Sequence, residues 1–302
     1  MRKIRIATVS YLMEDSVDDR SSTAHTAEFN LNRASKYIEE ASAARAHIVC
    51  LPETVTTNGV PNSNSKPEVS NAWTLFFQNQ ARKYSIAVIA PFFVSDGKAT
   101  YNQASVFNAS GNVIGNYRKV QPTGSEARWI TPGNEFPIVD LGFAKIGMMI
   151  CMDIYFPEIA RIYAMKGAEI LFWPTTTHGP TQSGLEAQLR SRAIDNSLWI
   201  VESNLAGYPP YAPYNGRYHP GNARIVDFNG DIIAQTGRRG GLATADVDLD
   251  ERRTTANVVL IHDPDDTRKD LESLARMDLY SKEYSKIAEH QQRYYNTIAK
   301  TK

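Results

Sequence analysis

Short apolar runs alternate with segments of helical periodicity along most of the chain. In the first half, apolar runs of strand length predict β-strands at residues 4–9, 47–51 and 86–93. Two helices are predicted between these strands from apolar residues spaced three and four positions apart. The residues are Leu31, Ala34, Ile38 and Ala41 in the first helix, and Trp73, Phe76 and Phe77 in the second. Turn signals at 96–97 and 108–112 then bound two further strands, 101–107 and 113–117.

The second half of the chain repeats this order of elements. Strands are predicted at residues 145–150, 169–173 and 198–203, with helices at 158–165 and 183–196 between them. A hairpin follows, in which the strong turn signal Asn229-Gly230 joins residues 222–228 to 231–235. Crossovers followed by hairpins indicate mixed sheets covered by helices, so two similar halves predict an α/β protein with two mixed sheets packed together.

The domain organisation follows from the absence of a linker between the halves. No stretch rich in Pro, Gly or Ser separates them, so residues 1–266 are predicted to form one domain. The tail at 267–302 is polar and charged, and it carries several tyrosines. It is either a solvated helix or a surface that contacts a partner subunit, because tyrosine and arginine are favoured at interfaces.

The charge balance gives no reason to expect a polyanionic partner. The 302 residues include 33 basic and 33 acidic side chains, so no nucleic acid and no anionic membrane is expected to bind, and the predicted partner is a small-molecule substrate. No apolar run is long enough to cross a membrane, and acidic residues follow the basic start too soon for a signal peptide. The two cysteines form no secreted disulfide framework, so a cytoplasmic location is expected.

Cys151 lies at the end of a predicted buried strand and just before a predicted helix that begins at Phe156-Pro157-Glu158. Ligands gather at the carboxyl ends of strands in open α/β sheets, and a helix that begins nearby is expected to lower a thiol pKa. Taken alone, a cysteine in this position is more often a buried structural thiol, which is the interpretation given to Cys50.

Three charged residues lie at comparable points of the pattern. Glu53 directly follows the strand at 47–51, Lys119 follows the strand at 113–117, and Glu126 comes seven residues later. A carboxylate next to a buried strand is costly unless it has a partner. Taken alone, however, Glu53 is more simply explained as a loop carboxylate, and a charge cluster such as Lys119 with Glu126 is usually a solvated turn.

Taken together and in order, these residues resemble the nitrilase superfamily of carbon–nitrogen hydrolases. The matching pieces are Leu51-Pro52-Glu53, Tyr117-Arg118-Lys119, Glu126 with Thr131-Pro132-Gly133 after it, and Ile150-Cys151-Met152-Asp153 with Phe156-Pro157-Glu158 after it. The similarity continues through residues 173–176, 190–196, 223–230 and 275–280, and it covers residues 4–285. Each piece is a weak signal, whereas their joint occurrence in this order is specific.

The resemblance implies a four-layer α-β-β-α sandwich and a mechanism without cofactor or metal. In such a mechanism Cys151 attacks the carbonyl or nitrile carbon, and Glu53 removes the thiol proton and later activates water. Lys119 and the backbone N–H of Met152 stabilise the oxyanion, while Glu126 holds Lys119 or orients the substrate. The similar tail implies at least a homodimer.

Two features of the sequence point to different reactions within the superfamily. The short segment between Lys119 and Glu126 resembles true nitrilases, whereas Cys151-Met152-Asp153 followed by Phe156-Pro157-Glu158 resembles amidases and carbamoylases. The residues beside the nucleophile touch the reacting carbon. Hydrolysis of an amide or N-carbamoyl group is therefore predicted first, and conversion of a nitrile to an acid is the alternative.

The substrate pocket is predicted to include Arg128, Thr176 and His178. Arg128 and His178 lie beside segments that the resemblance brings to the mouth of the site, where either could meet a polar acyl substituent. The alternative is that Arg128 is solvated and that His178 closes a loop.

Other classes fit the sequence less well. No histidine occurs in the sequence context of a papain-like protease, and neither His-Glu-x-x-His nor Cys-x-x-Cys is present for a metal hydrolase. A superfamily member without activity would be expected to lack one of the four catalytic residues. An acyltransferase would use the same thioester with an amine acceptor.

Overall fold

The computed structural model describes residues 2–12, 23–57, 66–124, 126–177, 182–207, 219–251 and 275–300. The chain divides into two compact units, Met1–Arg253 and Thr254–Lys302. The predicted boundary between residues 266 and 267 lies among residues 252–274, outside the described part, so the division into 1–266 and 267–302 stays a prediction.

The first half of the larger unit contains five strands and two helices. Its elements are β1 (Lys3–Leu12), α1 (Thr23–Ala43), β2 (Ile48–Cys50), α2 (Pro67–Tyr84), β3 (Ala87–Ser95), β4 (Thr100–Phe107) and β5 (Val113–Arg118). The strands β1, β2 and β3 pair in parallel, and β4 and β5 extend the sheet as antiparallel hairpins. Proline suits the first position of a helix, which explains why α2 begins at Pro67.

The second half has the same plan. Its elements are β6 (Val139–Asp140), β7 (Lys145–Met148), α3 (Pro157–Met165), β8 (Ile170–Thr175), α4 (Gln182–Asn196), β9 (Trp199–Gly207), β10 (His219–Pro220), β11 (Arg224–Val226), β12 (Ile232–Gln235) and β13 (Gly241–Asp248). The strands β7, β8 and β9 pair in parallel. The predicted turn at Asn229-Gly230 joins β11 to β12, with Gly230 at a φ of 86°.

The strands of the two halves meet along β1 and β9. The order is β5-β4-β3-β2-β1-β9-β8-β7-β6, and β1 also pairs with β13. The pairing of β1 with β9 is short, from Ser10 opposite Asn204 to Leu12 opposite Ala206. Two mixed sheets are thereby joined at one edge, and the predicted α/β class with two sheets is confirmed.

Alternate residues of the first sheet face opposite layers. Ile6 and Ile48 belong to an apolar cluster with Ile146 and Ile170 of the second half, so this face packs toward the other sheet. Ala7, Val9, Val49 and Val88 belong to a second cluster with Ala34 and Ile38 of α1 and Phe77 of α2. This alternation produces the four layers, because each sheet has one face on the other sheet and one face under helices.

The smaller unit is described from residue 275 and contains α5 (Met277–Lys300). Among the described residues, no helix is long and apolar enough to cross a membrane.

Candidate active site

Glu53 lies three residues after the end of β2, where the chain leaves the first sheet. Its side chain is buried, and both carboxylate oxygens accept hydrogen bonds. Oε1 accepts from Lys119 Nζ at 2.8 Å and from Asn102 Nδ2 at 2.7 Å, while Oε2 accepts from the backbone N–H of Thr176 at 2.9 Å and its hydroxyl at 2.8 Å. The donors come from both sheets, so Glu53 lies between the carboxyl end of β2 and that of β8.

Lys119 follows β5 and is 2% exposed. Its ammonium lies 2.8 Å from Glu53 Oε1 and 2.8 Å from Glu126 Oε2. Glu126 is buried in a 3₁₀ turn, and the backbone N–H of Thr123 donates to it at 3.0 Å. The structure therefore brings Glu53, Lys119 and Glu126 together, and their catalytic roles stay a prediction.

The backbone around Lys119 depends on a glycine. The N–H of Gly133 donates to the carbonyl oxygen of Lys119 at 2.8 Å. A Cβ at residue 133 would lie 2.2 Å from the carbonyl oxygen of Arg118, so a larger residue would push this segment away from Lys119.

Asn102 was not predicted from the sequence. Its amide nitrogen in β4 bridges the two carboxylates, at 2.7 Å from Glu53 Oε1 and 2.9 Å from Glu126 Oε1. Its partners lie 49 and 24 residues away along the chain. No local pattern distinguishes it from neighbouring polar residues of the same strand, because its role arises from tertiary contacts.

Cys151 begins a 3₁₀ turn, Cys151–Tyr155, that lies between β7 and α3. Its φ of 47° is in the left-handed region, which is uncommon for a residue other than glycine. The indole N–H of Trp173 donates to the Cys151 carbonyl oxygen at 2.9 Å and holds this turn on β8. Cys151 as a whole residue is intermediate in exposure, whereas Cys50 is fully buried.

The ionisation of these groups is set by burial and by their mutual charges. Burial alone raises the pKa of Glu53, but the Lys119 ammonium and the hydrogen bonds from Lys119, Thr176 and Asn102 outweigh it and hold the pKa below its ordinary value. Burial also opposes the charge on Lys119, yet Glu53, Cys151 and Glu126 raise the pKa of this amine. The site therefore holds a Glu53 carboxylate and a Lys119 ammonium at neutral pH.

The expected lowering of the Cys151 pKa was wrong. Burial and the charge of Glu53 raise the thiol pKa to about 12, against the opposing effects of Lys119 and Thr175. At neutral pH the site therefore holds a neutral Cys151 thiol near an ionised Glu53 carboxylate.

The predicted substrate-binding residues have different environments. Thr176 donates to Glu53 through both its N–H and its hydroxyl, Met152 is partly buried next to the nucleophile, and Arg128 is exposed. His178 lies outside the described residues. Contact of these residues with substrate stays a prediction. Among the described residues, no group of three His, Cys, Asp or Glu side chains is arranged to hold a metal ion.

The model of the family described as "Carbon-nitrogen hydrolase" matches residues 13–257. A deaminated glutathione amidase of Synechocystis sp. is 31% identical over 73% of this chain and 86% of its own length. A citrullinase of Francisella tularensis is 36% identical over 53% of this chain and 60% of its own length.

A protein of known structure has a similar fold. The crystal structure of an amidase from Nesterenkonia sp. superposes with a TM-score of 0.75 at 23% identity, covering 92% of this chain and 95% of that chain. The described elements are consistent with the α-β-β-α sandwich of that group of proteins.

Proposed function

Because this chain belongs to the carbon-nitrogen hydrolase family of the nitrilase superfamily, we propose that it hydrolyses an amide or N-carbamoyl group through a Cys151 thioester. The observation that carries the proposal is the buried cluster in which Lys119 Nζ lies 2.8 Å from both Glu53 and Glu126, near enough to Cys151 that Glu53 and Lys119 shift the pKa of its thiol. Ammonia or an amine leaves in the first step, and water releases the acid in the second.

Proton transfer from the thiol to Glu53 is the first step of the proposed reaction. Before it, the cluster holds two carboxylates, one ammonium and a neutral thiol; after it, Cys151 is a thiolate and Glu53 is neutral. The net charge stays at minus one, so no additional charge is buried when the nucleophile forms. The same Glu53 proton can then pass to the leaving nitrogen, and the carboxylate that results can activate water.

Lys119 is suited to the oxyanion rather than to proton removal. Neighbouring carboxylates raise its pKa, so it remains an ammonium. Two of its three N–H bonds point to Glu53 and Glu126, which fixes the direction of the third. We assign this third donor, together with the backbone N–H of Met152, to the developing oxyanion.

The choice of an amide or N-carbamoyl substrate over a nitrile rests on the relatives and on the residues after the nucleophile. The relatives reported above are named an amidase and a citrullinase, and Met152-Asp153 follows Cys151 here as in the amidase and carbamoylase branch. Ammonia release across a panel of amides, N-carbamoyl compounds and nitriles separates the possibilities. Activity confined to nitriles would favour the alternative reaction.

Replacement of the nucleophile tests the thioester directly. Cys151→Ala is expected to abolish turnover, whereas Cys50→Ala is expected to leave it unchanged, because Cys50 is buried in the core between the sheets. Mass spectrometry after rapid acid quenching should detect an acyl group on the Cys151 peptide of the unsubstituted protein. Ammonia release by Cys151→Ala at the original rate would contradict nucleophilic catalysis.

We further propose that α5 packs on a second copy of the chain, in the cytoplasm. Met277, Tyr280, Tyr284 and Ile287 are exposed and recur at helical spacing, which creates an apolar stripe. Such a stripe is typical of a helix that packs on a partner. Sedimentation of the full chain and of a chain ending at residue 274 should give a dimer or larger assembly and a smaller species, respectively. A monomeric full chain at micromolar concentration would overturn this proposal.

A further inference from the structure

A buried carboxylate two residues after the nucleophile connects two parts of the site. Asp153 is fully buried in the 3₁₀ turn that Cys151 begins. Its Oδ2 accepts from the Tyr117 hydroxyl at 2.7 Å and from the backbone N–H of Ile150 at 2.7 Å, and its Oδ1 accepts from the backbone N–H of Gln121 at 2.9 Å. The proposed reaction uses none of these groups directly.

The three donors come from the two segments that carry Cys151 and Lys119. Ile150 immediately precedes Cys151, while Tyr117 and Gln121 lie two residues before and two residues after Lys119. One side chain therefore ties the backbone that leads into the nucleophile to both flanks of the lysine. Asp153 thus provides a hydrogen-bonded connection between the segments that carry Cys151 and Lys119.

The backbone of Cys151 needs such support. Its φ of 47° is unfavourable for a residue with a Cβ, and such conformations persist where the surroundings hold them. The indole N–H of Trp173 fixes the Cys151 carbonyl group on one side, and the Asp153 carboxylate fixes the N–H of Ile150 on the other. The second of these contacts is also the one that connects to the lysine segment.

We propose that Asp153, together with Tyr117, is a positioning residue that sets the thiol of Cys151 against the ammonium of Lys119. The inference rests on the proposed function, in which both groups act on one carbonyl carbon and its oxygen. Displacement of a reacting group by about 1 Å can reduce the rate about 100-fold. The hydrogen bonds of Asp153 to the Cys151 segment and to the Lys119 segment are therefore both needed for the two groups to act together.

The chemistry of the contacts defines informative substitutions. Ile150, Gln121 and Tyr117 all donate, so a carboxylate satisfies them, whereas an amide in the same place directs its NH₂ group at one of the donors. Asp153→Asn thus breaks the connection without a change in size. Tyr117→Phe removes one donor and leaves both backbone contacts.

Tyr163→Phe is the matched control. Its ring is also fully buried and lies 6.3 Å from the ring of Tyr117, between centroids. The substitution removes the same hydroxyl atom from the same region, but Tyr163 makes no hydrogen bond to Asp153 among the described residues.

The experiment measures kcat and KM for the best amide of the panel, the unfolding temperature, and the rate of Cys151 alkylation by iodoacetamide. Alkylation is followed on the Cys151 peptide by mass spectrometry, and kcat is expressed per alkylatable Cys151.

We expect kcat to fall about 100-fold in Asp153→Asn. In Tyr117→Phe we expect kcat to fall about tenfold, which is the effect of losing one hydrogen bond. KM should stay unchanged in both variants. Alkylation should slow in the same order, because a displaced Lys119 ammonium no longer lowers the pKa of the Cys151 thiol.

A merely structural role gives a different result. If Asp153→Asn and Tyr117→Phe lower the unfolding temperature but match Tyr163→Phe in kcat per alkylatable Cys151 and in alkylation rate, the positioning role is overturned. If the unsubstituted protein hydrolyses no compound of the panel, the proposed function fails. The order of the alkylation rates then still decides whether Asp153 positions the thiol.

Discussion

Two buried glutamates with cationic partners behave in opposite ways in this protein. Glu53 and Glu202 are 2% and 1% exposed, and each contacts a cation, Lys119 at 2.8 Å and Arg224 at 3.1 Å. The pKa of Glu53 lies below its ordinary value, whereas burial raises the pKa of Glu202 to about 7 despite Arg224 and Asn204. Burial and a nearby positive charge therefore do not by themselves determine whether a carboxylate is ionised.

The difference lies in the number of donors that each carboxylate receives. Four hydrogen bonds reach Glu53, two on each oxygen, from Lys119, Asn102 and Thr176. Glu202 accepts from Arg224 at 3.1 Å and from Asn204 at 3.3 Å, and it shares Arg224 with Glu186 at 4.0 Å. The donors around Glu53 thus stabilise a charged carboxylate. At Glu202, Arg224 and Asn204 offset only part of the desolvation cost of the charged carboxylate.

The same substitution at both glutamates should produce the largest contrast. Glu53→Gln removes the proposed base and is expected to reduce kcat by about 10³-fold or more. Glu202→Gln makes the same change outside the proposed reaction, so its kcat per folded molecule should stay within about twofold of the original, as for a substitution away from the chemistry. Steady-state ammonia release from both proteins, with folding checked by circular dichroism, measures the contrast. Equal losses of activity would mean that the two glutamates do not differ in function.

Removal of the cations should separate activity from stability. Lys119→Met is expected to reduce kcat by about 10²–10³-fold, because it removes a donor to the oxyanion. It should also move the acid limb of the kcat/KM profile to higher pH, since burial then raises the pKa of Glu53 without opposition from an ammonium. Arg224→Met breaks a buried pair and should instead lower the unfolding free energy by about 3 kcal/mol.

Thermal unfolding and pH–rate profiles of both cation variants provide the measurements. An Arg224→Met protein that loses turnover in its folded fraction, with unchanged stability, would reverse the assignment of the two clusters.

The smallest expected effect is the pH dependence of stability. The folded-state pKa of Glu202 is raised from 4.5 to about 7, so the folded protein binds this proton more tightly than the unfolded chain does. The corresponding stabilisation is present below pH 4.5 and is lost as the pH rises toward 7. Asp153 contributes with the same sign between 3.8 and about 6, because burial raises its pKa more than its three hydrogen bonds lower it.

Glu202→Gln tests this dependence. Its unfolding temperature should change less between pH 5 and pH 8 than that of the original protein, by a few degrees for an effect of about 1 kcal/mol. Differential scanning calorimetry at constant ionic strength measures the two curves. Parallel curves would mean that Glu202 has the same pKa in both states.

Local patterns account for most of what was predicted correctly. Apolar runs and helical spacing predict the positions of β1, α1, β3, α3 and α4 along the chain, because these elements bury apolar residues in the two cores. Asn229-Gly230 predicts its turn for a similarly local reason, since glycine accepts a positive φ. The positions of Glu53 and Cys151 at the ends of strands were likewise visible in the sequence.

Contacts between distant parts of the chain decided the rest. The bridge that Asn102 forms, the three donors to Asp153 and the opposite pKa shifts of Glu53 and Glu202 all depend on residues brought together from both sheets or from separate strands. The direction of the Cys151 pKa shift also depends on tertiary contacts, because burial outweighs the effect of the nearby ammonium only after the sheets have packed. The sequence by itself determined which residues end the strands and which chemical groups they carry. Tertiary structure alone decided their charge states and mutual distances, because desolvation and hydrogen bonding arise only when the layers close on each other.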